Sequence, residues 1–105
     1  MAYAHITGWG MFVPEKILTN DDLSKMVDTN DEWIRSRTGI RERRIASEEQ
    51  SSASLATEAA IRALDVANLK PTELDLIIVS SSSPEHIFPS TASLVQDRIG
   101  ATKAG

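Results

Sequence analysis

Trp33 and Arg37 are the residues of this chain whose types and spacing could do chemistry. They stand four positions apart, which puts two side chains on one face of a helix. An indole beside a guanidinium suits a planar, anionic ligand. The indole stacks on a base and the guanidinium takes a phosphate. The same pair also has a packing role open to it: a half-buried tryptophan on a short helix with Arg37 laid over its ring. Both residues lie in the stretch Thr29–Arg44, which holds five arginines and three acids on a chain whose net charge is −4. A basic patch on an acidic protein suits an anionic partner, although solvated arginines alone would give the same composition.

A short helix must present that pair, and its limits can be read from the spacing. Thr29 and Glu32 are spaced as a capping box, in which each side chain meets the other's backbone amide. Gly39 suits the left-handed position past a helix end. The helix is therefore expected over roughly 30–38. Upstream, Thr19 and Asp22 form a second capping box, with Leu18 and Leu23 placed as a hydrophobic staple. That box opens a helix from Asn20 to Val27, whose apolar face is Leu23, Met26 and Val27. It reads as scaffold that sets the angle of the Trp33 helix. After Gly39, Arg41, Arg43 and Arg44 either extend the basic surface or form a solvated edge.

The rest of the chain reads as α/β. Tyr3–Val13 is rich in β-branched and aromatic residues and is expected to be a strand ended by Pro14. Gly8 and Gly10 interrupt it and permit a bulge or a close backbone approach. Their Gly-x-Gly pattern lacks the third glycine of a dinucleotide fingerprint. Ser51 or Ser52 caps a long helix over 53–68, with Glu58 and Arg62 spaced as an ion pair. Ala56, Ala60, Ala63, Leu64 and Ala67 line its other face, where small side chains allow close approach to a helix or a sheet. Lys70-Pro71-Thr72 is a turn. The unbroken apolar run Leu76-Ile77-Ile78-Val79 suits a strand covered on both faces in a parallel sheet. Ser80–Ser83 follow without a histidine–acid pair to activate one, so no serine nucleophile is assigned. His86 and Phe88 sit on a loop between Pro84 and Pro89. Phe88 is expected to be exposed unless something covers it, either locally or from a partner. Pro89 opens a last helix to about Ile99, which Gly100 closes.

Composition narrows the function further. At 105 residues the chain is one domain at most, with 25% charged and 41% hydrophobic residues, an ordinary globular balance. There is no cysteine, so this chain supplies no disulfide, cysteine–zinc site or thiol nucleophile. Two histidines make a dedicated metal cluster an unlooked-for feature, and none is assigned. No apolar run reaches membrane-spanning length and no secretory signal is visible, so the cytoplasm is the expected location. The acidic balance and a single stacking tryptophan weigh against a stand-alone nucleic-acid or nucleotide-binding module.

Asp31-Glu32-Trp33-Ile34, then Arg37-Thr38-Gly39-Ile40, then Arg43, resembles the N-terminal signature of the β-ketoacyl-acyl-carrier-protein synthase III family. The likeness extends over essentially the whole chain, including Val13-Pro14, Thr19-Asn20, Leu23, Met26-Val27-Asp28-Thr29 and Phe88-Pro89-Ser90. It implies that Trp33 stacks on the adenine of coenzyme A, that Arg37 meets the nucleotide's phosphates, and that Thr29 lies against the adenine. It implies acyl-CoA as a substrate, with no separate cofactor. It also implies an acidic acyl-carrier protein drawn to the arginine-rich entrance, and a homodimer in which Phe88 reaches toward the partner's acyl pocket.

The resemblance further implies a partial thiolase-like fold. Residues 1–105 would be the first part of the N-terminal half of a layered αβαβα architecture. The family's cysteine nucleophile follows the strand after this segment, and its histidine and asparagine belong to the second half. No catalytic residue is therefore expected here, and the chain alone is expected to be inactive. A related synthase priming polyketide or other secondary pathways is the alternative within the same superfamily.

Overall fold

The computed structural model describes residues 2–105. It divides into two compact units, Val13–Glu49 and a second one formed by Gln50–Gly105 with the N-terminal segment up to Phe12.

The unit Val13–Glu49 is built on two short antiparallel strands, β1 (Lys16–Thr19) and β2 (Glu42–Ile45). Lys16 is opposite Ile45 and Thr19 is opposite Glu42. Helices α1 (Asn20–Ser24) and α2 (Asp31–Thr38) fill the connection between them. The sequence pattern did not announce either strand, because 42–45 alternates only loosely and carries two arginines. The backbone ladder is reinforced by two arginine side chains of β2 that bind distant backbone carbonyls. Arg43 donates to the Leu18 carbonyl at 3.2 Å, and Arg44 donates to the carbonyl of Pro14, itself buried, at 2.8 Å. These two cations are thus structural more than they are a continuation of a solvated basic edge.

The Thr19–Asp22 capping box is present in full, with Thr19 Oγ1 accepting from the Asp22 amide and Asp22 Oδ2 accepting from the Thr19 amide. These bonds, led by the Thr19 amide, hold the Asp22 carboxyl below the ordinary range. The helix they start is shorter than expected. It ends at Ser24, and the amides of Lys25, Met26 and Val27 close turns onto Asp22 and Leu23. Met26 and Val27 are exposed, so the apolar face that would have extended the helix finds nothing to pack on.

In the other unit, α3 (Ser52–Ala67) packs against α4 (Thr91–Ile99). Ser51 caps α3 in a reciprocal box with Ser54, and Asn68 ends it in the left-handed conformation. The buried positions of the pair are Ala53 and Thr57 on α3 and Thr91 and Val95 on α4. The Thr57 hydroxyl is satisfied within the helix by the Ala53 carbonyl at 2.7 Å. Ser90 caps α4, one residue after the Pro89 start expected from the sequence, because its hydroxyl can accept from the Ser93 amide. Gly100 closes α4 at φ 76°.

The alanine face of α3 receives the N-terminal segment. A Cβ on Gly8 would lie 2.5 Å from the Ala63 carbonyl oxygen and 2.8 Å from Ala67. One on Gly10 would lie 2.6 Å from the Ala63 nitrogen and closer still to the Ala59 carbonyl. Two glycines are thus required by a close approach of backbone to helix. The expected strand over 3–13 forms no ladder, since a strand needs an edge to bond and this segment lies on a helix instead. The Glu58–Arg62 pair is replaced as well. Arg62 donates to the Met11 carbonyl at 2.9 Å, and its guanidinium carbon stands 5.0 Å from the centre of the Phe12 ring.

A 3-10 turn, Pro71–Glu73, leads into the apolar run 76–79, which likewise forms no extended ladder. It does carry one parallel pairing. The Gly105 amide donates to the Asp75 carbonyl at 2.9 Å, and the Ile77 amide donates to the Gly105 carbonyl at 3.1 Å. Two bonds straddling Leu76 in this way are the parallel pattern. Gln96 of α4 fixes the approach by donating to the carbonyls of Ala101 and Ala104. Ile78 remains 81% exposed, as suits a strand awaiting cover on a face.

Candidate functional site at the Trp33 helix

The cap of α2 is Asn30, not Thr29. Asn30 Oδ1 accepts from the Trp33 amide at 2.8 Å. The Thr29–Glu32 box expected from the spacing is displaced by one residue, because Asn caps at least as well as Thr and Asn30 is in reach of the third amide. Gly39 ends the helix as expected, at φ 72°, with its amide on the Arg35 carbonyl at 2.8 Å.

On this helix the Arg37 guanidinium carbon lies 5.1 Å from the centre of the Trp33 ring. Trp33 is 54% exposed, so the indole is only partly committed to packing. Freed from the cap, Thr29 lines a shallow depression of about 170 Å³ together with Asp28, Asn30 and Trp33. The three residues singled out in the sequence, Thr29, Trp33 and Arg37, are thereby gathered on one side of one short helix.

The two arginines of α2 are sorted by their partners. Arg35 Nε donates to Asp31 Oδ2 at 2.7 Å. Among the described residues Arg37 has no carboxylate in ion-pairing reach.

Beneath the helix lies a residue that the sequence pattern names, in the Thr19-Asn20 pair, without giving its side chain a role. Asn20 is 1% exposed, the largest fully buried side chain among the described residues. Its Nδ2 donates to Asp31 Oδ1 and to the Ile40 carbonyl, both at 2.8 Å, and its Oδ1 accepts from Arg43 at 2.9 Å. Its backbone amide adds a bond to the Arg41 carbonyl at 3.1 Å. Hydrogen bonding from Asn20, then from Arg35, holds the Asp31 carboxyl below the usual carboxylate range. No spacing rule could have found this hub, whose side-chain partners lie 11, 20 and 23 residues away.

No family model matches the chain. Individual proteins do. It is 57% identical over 103 residues to the β-ketoacyl-[acyl-carrier-protein] synthase III of Xylella fastidiosa strain 9a5c, covering 98% of this chain and 32% of the relative. The crystal structure of 3-oxoacyl-[acyl-carrier-protein] synthase III from Aquifex aeolicus superposes with a TM-score of 0.88 at 54% identity, over 94% of this chain and 32% of that one. A priming β-ketosynthase of a polyketide biosynthetic pathway superposes with the same TM-score of 0.88 at 33% identity, over 95% and 30%. The chain belongs with the N-terminal portion of the β-ketoacyl-acyl-carrier-protein synthase III family. It spans about a third of the length of the relatives it matches. Its fold is accordingly a partial thiolase-like α/β arrangement.

In this synthase III portion the loop after the apolar run docks on the start of α3. Ser52 Oγ donates to the Ser83 carbonyl at 2.7 Å, and Glu85 Oε1 accepts from the Ala53 amide at 3.1 Å. A carboxylate at a helix N-terminus meets free amides and the positive end of the dipole. The Ser51 side chain, then the Ala53 amide and Arg98, lower the Glu85 carboxyl. With its base held, the loop projects Phe88, which is 87% exposed, as the sequence led one to expect. No helix of the described residues is long and apolar enough to cross a membrane.

Proposed function

We propose that this segment forms the coenzyme A-facing part of a cytoplasmic β-ketoacyl-acyl-carrier-protein synthase III. In this reading the complete enzyme condenses an acyl-CoA, commonly acetyl-CoA, with malonyl-acyl-carrier protein to start fatty acid synthesis. Trp33 stacks on the adenine, Arg37 meets the phosphates, and Thr29 lies against the base. Acyl-CoA is a substrate, so no separate cofactor is required. The observation that carries the reading is the half-exposed Trp33 ring with the carboxylate-free Arg37 guanidinium over it, beside the depression at Thr29.

The segment holds no cysteine, so the thiolate that takes the acyl group belongs to the remainder of the enzyme. The histidine and asparagine that stabilise the developing oxyanion belong there too. The role of residues 1–105 is to bind and position. Arg41, exposed on the segment after Gly39 and in no ion pair among the described residues, helps draw the acidic carrier protein through its charge. Phe88 lies at the homodimer interface, where a second subunit covers a ring that is otherwise in water.

Isothermal titration of the complete synthase with coenzyme A tests the site. Trp33→Ala and Arg37→Ala are each expected to weaken binding. Unchanged affinity in both variants would remove the assignment. A second reading is supported by the equal TM-score to the polyketide-priming synthase: the acyl group primes a secondary pathway. Comparing acetyl-, branched and longer acyl-CoA primers separates the two, since only the fatty-acid reading expects acetyl or another short acyl group to be preferred.

A further inference from the structure

We infer that Asn20 is a positioning residue for the nucleotide site, acting through Asp31 on the helix that carries Trp33 and Arg37. The inference rests on the coenzyme A reading above and deepens it. One amide group grips both ends of α2. Its two N–H bonds go to Asp31, the first residue of the helix, and to the carbonyl of Ile40, just past the Gly39 cap. A third bond, from Arg43 to Asn20 Oδ1, ties the same amide to β2. Every polar atom of the side chain is used, and the residue is buried. Only an amide can supply two donors and an acceptor in that arrangement.

The bond to Asp31 has a second effect. It occupies Oδ1 and leaves Oδ2 to Arg35. Arg35 is thereby neutralised on its own helix, while Arg37, two residues on, stays clear to face the ligand. The hydrogen bonds of the Asn20 side chain go to Asp31, Ile40 and Arg43, and none to the indole or the Arg37 guanidinium. It sets where the helix lies and which of its cations is free.

Asn20→Asp keeps the shape, removes both donors and sets a second carboxylate against Asp31. In the complete synthase, titration calorimetry is expected to show coenzyme A binding weakened roughly tenfold, as misplacement of a binding element does. KM for acyl-CoA is expected to rise in parallel, with kcat per active site within about twofold of the parent, the pattern of lost uniform binding. A residue needed only for folding would lower the yield, the melting temperature and the active fraction, and leave Kd and KM as they were. That outcome overturns the proposal. Should Asn20→Asp fail to fold, Asp31→Ala cuts the same link from the exposed side. It is expected to raise Kd several-fold, and an unchanged Kd there is equally decisive against it. Trp33→Ala is measured alongside. If it leaves Kd unchanged, the nucleotide site itself is wrong and the positioning role falls with it. If Trp33→Ala weakens binding and the Asn20 and Asp31 variants do not, the site stands and only the positioning role is lost.

Discussion

Arg37 holds its guanidinium carbon 5.1 Å from the centre of the Trp33 ring, with no carboxylate in ion-pairing reach among the described residues. At an exposed site this contact contributes only about 0.5–1 kcal/mol to stability. A ligand phosphate offers the same guanidinium a charge-assisted bond of about 1.5–3 kcal/mol. Arg37→Ala should therefore lower coenzyme A affinity by tenfold or more on that scale while leaving the melting temperature nearly unchanged. Arg37→Lys should recover part of the affinity, since lysine keeps the charge and loses the planar fork. Measuring Kd at low and high salt checks the cause. Binding by the parent and the lysine variant should weaken with salt more steeply than binding by the alanine variant.

Gly10 should not tolerate a side chain. The atoms that an added methyl would meet are the backbone of α3 at Ala59 and Ala63, which cannot swing aside. Overpacking of this kind costs about 1–3 kcal/mol. Gly10→Ala is expected to lower the melting temperature of the complete enzyme. A substitution at Gly39, where φ is 72° and no atom lies within 4 Å of an added Cβ, tests a different cause. There the cost is conformational, and Gly39→Asn should be milder than Gly39→Val.

Glu85 ties stability to acid pH. Its carboxyl is lowered from an ordinary value of 4.5 by the Ser51 side chain, the Ala53 amide and Arg98. A lowered folded-state pKa means that the ionised form is favoured by folding. The stabilisation is present above about pH 4.5 and is lost as the pH falls through the folded value. Glu85→Gln keeps an acceptor for the Ala53 amide but has no charge to lose. It should be less stable than the parent near neutral pH, with the difference shrinking as the pH is taken below 4. Denaturant titrations across that range would show it.

The parts legible in the sequence were those set by contacts a few residues long. The Thr19–Asp22 box, the limits of α3, and the glycine caps at Gly39 and Gly100 all follow from local chemistry. So did the Trp33–Arg37 pair, one helical turn apart. The Thr29 cap failed by one position because two good capping residues stand side by side, and only geometry decides between Thr29 and Asn30. Features made across the chain were not legible. Lys16–Thr19 and Glu42–Ile45 pair across more than twenty residues, with Arg43 and Arg44 reaching distant carbonyls, and the Asn20 side chain works through residues far along the sequence. The strands expected over 3–13 and 76–79 fail for another reason. Their apolar patterns are those of strands in a larger sheet, and a pattern records the neighbours a segment is made for, whether or not they are at hand.

The last prediction concerns the 105-residue chain by itself. Among the described residues the buried apolar ones are Ala53, Val95 and Ala101, whereas Trp9, Ile78, Ile87 and Phe88 are among many large apolar side chains left in water. Burying a valine is worth roughly 1.5–3 kcal/mol, far less than the ordering entropy of about 1–2 kcal/mol for each residue fixed. The purified chain should therefore bind a hydrophobic dye strongly and melt without a sharp transition, as loosely packed states do. With no cysteine it should also take up no acyl group from acyl-CoA and release no ketoacyl product. Mixing it with the remaining two thirds of a synthase III should suppress dye binding if the exposed strands find their sheet. A cooperative melt of the chain alone, without dye binding, would show that its own small core suffices.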